Sequence, residues 1–324
     1  MRRSVVVTFL AGCLGFGIST AALAQNYPDR PIRLVAPFPA GGLADVLARA
    51  VGDEMSKTLG QLVIVENRAG AGGNVGADAV AKSAPDGYTL LMSSAGILTA
   101  NPFLYAKMPF DAERDFIPIT NVADMPMLVV VHPKVEAKTL GEFVTLARAN
   151  PGKLNFGSPG IGTTGHLGLA MLMYAANVKI THVPYRGAAP AVADLIAGQI
   201  DGVVDNPPTV LQHIQSGKLR ALAVAAKTRM VLLPDLPTAA EAGVANYEAN
   251  SWFGIAVPAG TPPAIVARLH KEIVAALRQP AMQARFANSG ARLVGNSPEQ
   301  FAAQIRAERV KWGEIIKAQN IKAE

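Results

Sequence analysis

The stretch GSPGIGTTGH, Gly157 to His166, decides how the chain is read. An apolar run, Leu154 to Gly157, precedes it, and a longer apolar run from His166 to Ala176 follows, so the order is strand, glycine turn, helix. Glycines let backbone N–H groups converge, and a helix start carries roughly half a positive charge, so such a turn holds an anion without a basic side chain. The spacing Gly160-x-Gly162-x-x-Gly165 also matches a dinucleotide fingerprint, which further needs an acid about 20 residues on to hold the ribose. No Asp or Glu occurs between His166 and Ala193. The dinucleotide therefore drops out and a small anion remains. Ser158, Thr163 and Thr164 add hydroxyl donors, one of which would suffice as a helix cap. His166, at the helix start, is read either as a ligand donor or as a packed histidine.

The same order recurs upstream. Ile32 to Ala36 reads as a strand, and Pro37-Phe38-Pro39-Ala40-Gly41-Gly42 follows it directly. From Gly41 to Leu59, Val46, Leu47, Ala50, Val51 and Met55 share one helical face, and Gly60 ends the helix. Phe38, Ala40, Gly41 and Gly42 thus form a second anion loop. Asp45 has two readings, a ligand acceptor or a first-turn acid that answers the helix dipole. Leu62 to Val65 and Leu90 to Met92 are further strands, and Ser93 and Ser94, after the latter, line the same edge.

Strands alternating with helices indicate an α/β protein with largely parallel sheets. Pro109 to Pro118 reads as a polar connection, and Met127 to Val131 as the first crossing into a second domain. There, Ile180 to Val183, Gly202 to Val204 and Leu219 to Ala225 are strands and Pro190 to Ala197 a helix; Asp205 and Asn206 either contact ligand or start the turn at Pro207-Pro208. Trp252 to Val257 returns to the first domain. Two helices end the chain, Pro262 to Leu277 and Pro298 to about Lys317, the second opened by a Ser297/Gln300 capping box. Its Phe301, Ile305, Trp312 and Ile316 form a packing stripe. The expected domains are residues 25–125 plus 250–324, and 126–249 inserted between them. Open α/β sheets bind ligands at the C-terminal ends of strands, so the two glycine loops face one cleft.

Composition bounds the function. Arg2 and Arg3, an apolar run from Val5 to Ile18 and Ala22-Leu23-Ala24 make residues 1–24 an export signal cut after Ala24, with lipidation at Cys13 the weaker alternative. Cleavage leaves 300 residues without cysteine and a net charge of +4. Scattered charge and 6% aromatic residues give no nucleic-acid footprint. No nucleophile elbow surrounds Ser158, and the five histidines lack metal-ligand spacing, so no catalytic group, metal or cofactor is expected.

Seven ordered motifs carry a resemblance. They are PFPAGGxxD from Pro37, ENRxGAGGNVG (Glu66 to Gly76), PDGYTLLM (Pro85 to Met92), NPFLY (Asn101 to Tyr105), GxPGxGTTGHL (Gly157 to Leu167), HVPYRG (His182 to Gly187) and SWFGIAVPAGTP (Ser251 to Pro262). Together they resemble the Bug family, periplasmic solute receptors of tripartite tricarboxylate transporters. The resemblance implies a type II periplasmic-binding-protein fold, two α/β lobes around a ligand cleft joined by two crossing segments, closing on a small organic carboxylate. It implies integral membrane permease subunits as partners and a monomeric receptor. The ligand carboxylate would lie between Phe38, Ala40, Gly41, Gly42 and Asp45 on one side and Ser158, Gly160, Thr163 and Thr164 on the other. Members often have a histidine in the third-strand loop. Here Ile97 and Leu98 stand there, which implies a less polar far end of the pocket. A sensory receptor serving a signalling kinase, or an enzyme acting on an organic acid, are the alternatives.

Overall fold

The computed structural model describes residues 27–318 and 321–322, so the export signal, its cleavage site and Cys13 lie outside the described residues. Two sheets organise the rest. The first is built from β1 (Ile32–Ala36), β2 (Val63–Asn67), β3 (Thr89–Ser94), β4 (Phe116–Pro126), β10 (Asn250–Pro258) and β11 (Arg292–Leu293), in the order β11-β4-β10-β3-β1-β2. The second is built from β5 (Leu128–Val131), β6 (Asn155–Ser158), β7 (Thr181–Pro184), β8 (Gly202–Asp205) and β9 (Arg220–Val224), in the order β7-β6-β8-β5-β9. The helices between them are α1 (Leu43–Leu59), α2 (Asn74–Ala81), α3 (Asn101–Leu104), α4 (Leu140–Ala149), α5 (Thr164–Ala176), α6 (Ala188–Ile196), α7 (Pro207–Gln215), α8 (Pro263–Leu277), α9 (Pro280–Ala287) and α10 (Pro298–Ala318). Each sheet with its helices is one lobe.

The expected periodicity acts locally. Helix α1 buries Leu47, Ala48, Val51 and Met55 on the first sheet and stops at Gly60, whose φ of 68° suits glycine. Helix α5 buries Leu167 through Leu172 without a polar face, because it is packed on both sides.

The sheets are mixed rather than largely parallel: β1 pairs in parallel with β2 and β3, but β10 is antiparallel to β3 and β4, and β5 is antiparallel to β8 and β9. Pro207-Pro208 opens helix α7 rather than a turn, since proline fits a first helical turn and Asn206 stands at its N-cap. The polar connection expected from Pro109 to Pro118 gives way at Phe116 to β4, which runs for 11 residues. Polar residues hide that strand in the sequence. Thr120 and Asn121 are buried within it, where Asn296 accepts from the Thr120 hydroxyl and the Asn121 backbone amide and Gln304 accepts from the Asn121 side-chain amide, and Pro118 sits beside a register shift, where a missing N–H is tolerated.

The lobes meet at two crossings and a strap. Met127 donates its amide to Ala249 (3.0 Å) and accepts from Ala225 (2.8 Å), which ties both crossing segments to one point. The strap is α10. Phe301 and Ile305 cluster with Leu98 and Trp252 of the first lobe, whereas Trp312, Ile315 and Ile316 share a cluster with Leu167, Leu169 and Leu172 of α5 and with Ala100 and Leu104 of the first lobe. The stripe read from the sequence is buried, but it serves two cores, and the end of α10 does not belong to the first lobe alone.

Candidate functional site

In the second lobe, Gly160 and Gly162 have φ of 135° and 78°, and the turn they permit folds its own polar groups inward. The Gly160 amide donates to Ser158 Oγ (3.2 Å), Thr163 Oγ1 donates to the Gly160 carbonyl (2.6 Å), and the Gly162 amide donates to His166 Nδ1 (3.1 Å). The hydroxyl of Thr163 is therefore engaged within the turn. Thr163 nonetheless occupies the N-cap position of α5 without a side-chain cap bond, so the first amides of the helix, from Thr164 on, stay open to an anion.

Behind this turn lies a cluster that sequence spacing does not reveal. His166, 4% exposed, stacks on His182 of β7 at 4.2 Å between ring centres, and His182 Nε2 lies 2.5 Å from Ser158 Oγ. Burial, then the neighbouring His182, lowers the His166 pKa to about 3; burial lowers that of His182 to about 4. Both rings are neutral at pH 7. His166 Nδ1, accepting from Gly162, carries no proton, so this nitrogen braces the loop rather than donating to a ligand.

The first-lobe loop is braced in a similar way. Gly41, at φ 81°, donates its amide to Asp45 Oδ2 (2.9 Å), and Asp45 Oδ1 accepts from Asn67 (3.0 Å) and pairs with Arg49 (2.9 Å). Burial opposes ionisation of Asp45, but the bonds from Arg49, Gly41 and Asn67 outweigh it and hold the carboxyl below its usual range. Asp45 thus acts as the loop's internal brace, and the Gly41 amide points to it. Phe38 accepts from Asn67 through its carbonyl (3.1 Å). Ala40, Gly41 and Gly42 are exposed, and Gly42 caps α1 with no side-chain bond, leaving a second open helix start.

Contacts between lobes bring the two loops together. A Cβ on Gly187 would lie 3.9 Å from Pro39, and one on Gly72 2.7 Å from the Ile161 carbonyl. Tyr105 donates to that carbonyl (3.4 Å), and Ser251 Oγ lies 3.4 Å from Thr164 Oγ1. Ser93 and Ser94 end β3 on the same side, both buried. Ile97 and Phe38 converge at Gly73, where a Cβ would meet both, so that wall is apolar; Leu98 packs in the core. Ser94 Oγ, Asn101 Oδ1, Asp205 Oδ2 and Asn206 Oδ1, buried near this seam, have no partner among the described residues. Asn101 and Tyr105 fall within the NPFLY motif, but nothing in their spacing marks them as cleft residues. Among the described residues, no group of three or more His, Cys, Asp or Glu could hold a metal ion.

Two α/β lobes joined by crossing strands, with an open helix start from each at one seam, define a solute-binding receptor of the periplasmic type. The chain belongs to the tripartite tricarboxylate transporter family of receptors, whose model matches residues 47–321. It is similar to Protein BugT of Bordetella pertussis, 38% identical over 317 residues, which is 96% of this chain and 97% of that one. A solved R. palustris protein with adipate is 35% identical, with a TM-score of 0.86 over 91% of this chain and 99% of the other. MatC from Rhodopseudomonas palustris with bound malate is 33% identical, with a TM-score of 0.84 over 90% of this chain and 100% of the other.

Proposed function

We propose that this receptor captures a small organic carboxylate between its lobes in the periplasm and presents the closed form, as a monomer, to integral membrane permease subunits. The observation that carries this reading is the pair of uncapped helix starts, α1 at Gly42 and α5 at Thr163, brought to one seam. Relatives solved with adipate and malate support the choice of ligand class. Ligand contacts to both lobes stabilise closure, so affinity and conformational change are one free energy. Export with cleavage after Ala24 belongs to the same reading, and the intact mass of the purified protein tests it.

Among the described residues, the Ser158–His182 pair is the feature that favours an enzyme. Against it, Ser158 is fully buried and tied to Gly160, and no carboxylate hydrogen-bonds to His182 among the described residues. The pair is read as structural, and no catalytic role is assigned to it. A thermal-shift screen against organic acids tests the receptor reading. Ligand at 100 times its Kd adds about 2.7 kcal/mol to stability. A melting temperature unmoved by every acid overturns it.

A further inference from the structure

Asp205 is a buried carboxyl with an unpartnered hydrogen-bond acceptor at the cleft edge of the second lobe. It is 2% exposed; Oδ1 accepts the Asn206 amide (2.7 Å), and Oδ2 has no partner among the described residues. Asn206 Oδ1, next to it, is also unpartnered there. The nearby Thr209 hydroxyl donates to the Asn206 carbonyl (2.7 Å). Asp205 closes β8 opposite Leu128, at the level of the start of α5, since a Cβ on Gly165 would lie 3.0 Å from the carbonyl of Val204. Two residues on, Pro207 meets the first lobe, where a Cβ on Gly290 would lie 2.9 Å from it. Asp205 therefore sits between the anion turn and an interlobe contact.

The chemistry of this edge differs from that of the loops. Open amides ask for an acceptor, but a carboxylate and an amide oxygen ask for a donor, and leaving such groups unpaired in a buried site is costly. A plain dicarboxylate at neutral pH brings acceptors alone and would be repelled by Asp205. Burial raises the carboxyl to about 6, outweighing the neighbouring Asn206 amide and Thr209 hydroxyl.

We propose that Asp205 selects the ligand: the receptor takes a carboxylate bearing a hydroxyl or ammonium donor beside the acid group, in preference to the unsubstituted acid. This rests on the receptor reading above.

Calorimetric titration of the full chain with succinate, malate and aspartate, and with glutarate, 2-hydroxyglutarate and glutamate, tests it. The hydroxy or amino member of one set should bind at least about tenfold more tightly than the unsubstituted acid. In Asp205→Asn, which keeps the Oδ1 acceptor for Asn206, that preference should fall below about threefold. Equal binding of the unsubstituted acid by the wild type overturns the proposal without need of the variant, as does a preference that survives in D205N. If none of the six binds, the receptor reading fails for these acids and this proposal fails with it, a result distinguishable from equal binding.

Discussion

Gly96 and Gly162 touch across the seam: a Cβ on Gly96 would collide with the carbonyl oxygen of Gly162, and one on Gly162 would collide with Asn101 Oδ1. Gly162 has a φ of 78°, so it needs glycine for its own backbone as well. Gly96 has no such need. Its lack of a side chain is required only while the opposite lobe is in place.

Gly96→Ala should therefore destabilise the closed form alone. Overpacking costs about 1–3 kcal/mol, which as a loss of affinity is about 5- to 150-fold. The unliganded protein should melt at the wild-type temperature. Calorimetry and melting, measured together, check this. Wild-type affinity in G96A would mean that the ligand is bound without this contact.

The histidine stack predicts a pH dependence. Both rings have folded-state pKa values, about 3 for His166 and about 4 for His182, below the ordinary 6.5. The unfolded chain then binds more protons in that interval, so their contribution is complete above pH 6.5 and is lost as pH falls toward the folded values. Asp205, raised from 3.8 to about 6, works in the opposite direction, its contribution being lost as pH rises through that interval. Comparing wild type with His182→Gln at each pH cancels the Asp205 part. The stability gap between them should narrow from about pH 7 to about pH 4.5. A gap that stays constant would show that His182 is not held neutral by the fold.

The legible parts of this protein are those with a local cause. The glycine turns, the amphipathic face of α1 and the cap of α10, where Gln300 donates its amide to Ser297 Oγ (3.2 Å) and Ser297 donates back to Gln300 Oε1 (3.0 Å), all follow from residues a few positions apart. What the sequence hides depends on distant partners. β4 reads as polar because its buried Thr120 and Asn121 donate to Asn296 and Gln304, 175 to 183 residues away. The stacking of His166 on His182 requires β7 to lie beside β6. The partnership of Gly41 with Asp45 is local, yet the sequence leaves two roles for the acid, and only the directions of Arg49 and Asn67 choose between them.

The strap makes the last prediction. α10 anchors Phe301 in the first lobe and Trp312, 6% exposed, in the second, so it couples two cores that the strands join only at the crossings. Trp312→Ala removes the largest second-lobe anchor of the helix, a change that costs about 3–5 kcal/mol in a packed core. The loss falls on the cluster that joins α5 to Ala100 and Leu104, while the separate cluster around Phe301 is untouched. Denaturant unfolding of W312A, followed by hydrogen exchange, should show the second lobe and the end of α10 opening before the first sheet. A single transition in which both lobes lose protection together would mean that the crossings at Met127 and Ala249 couple the lobes without the strap.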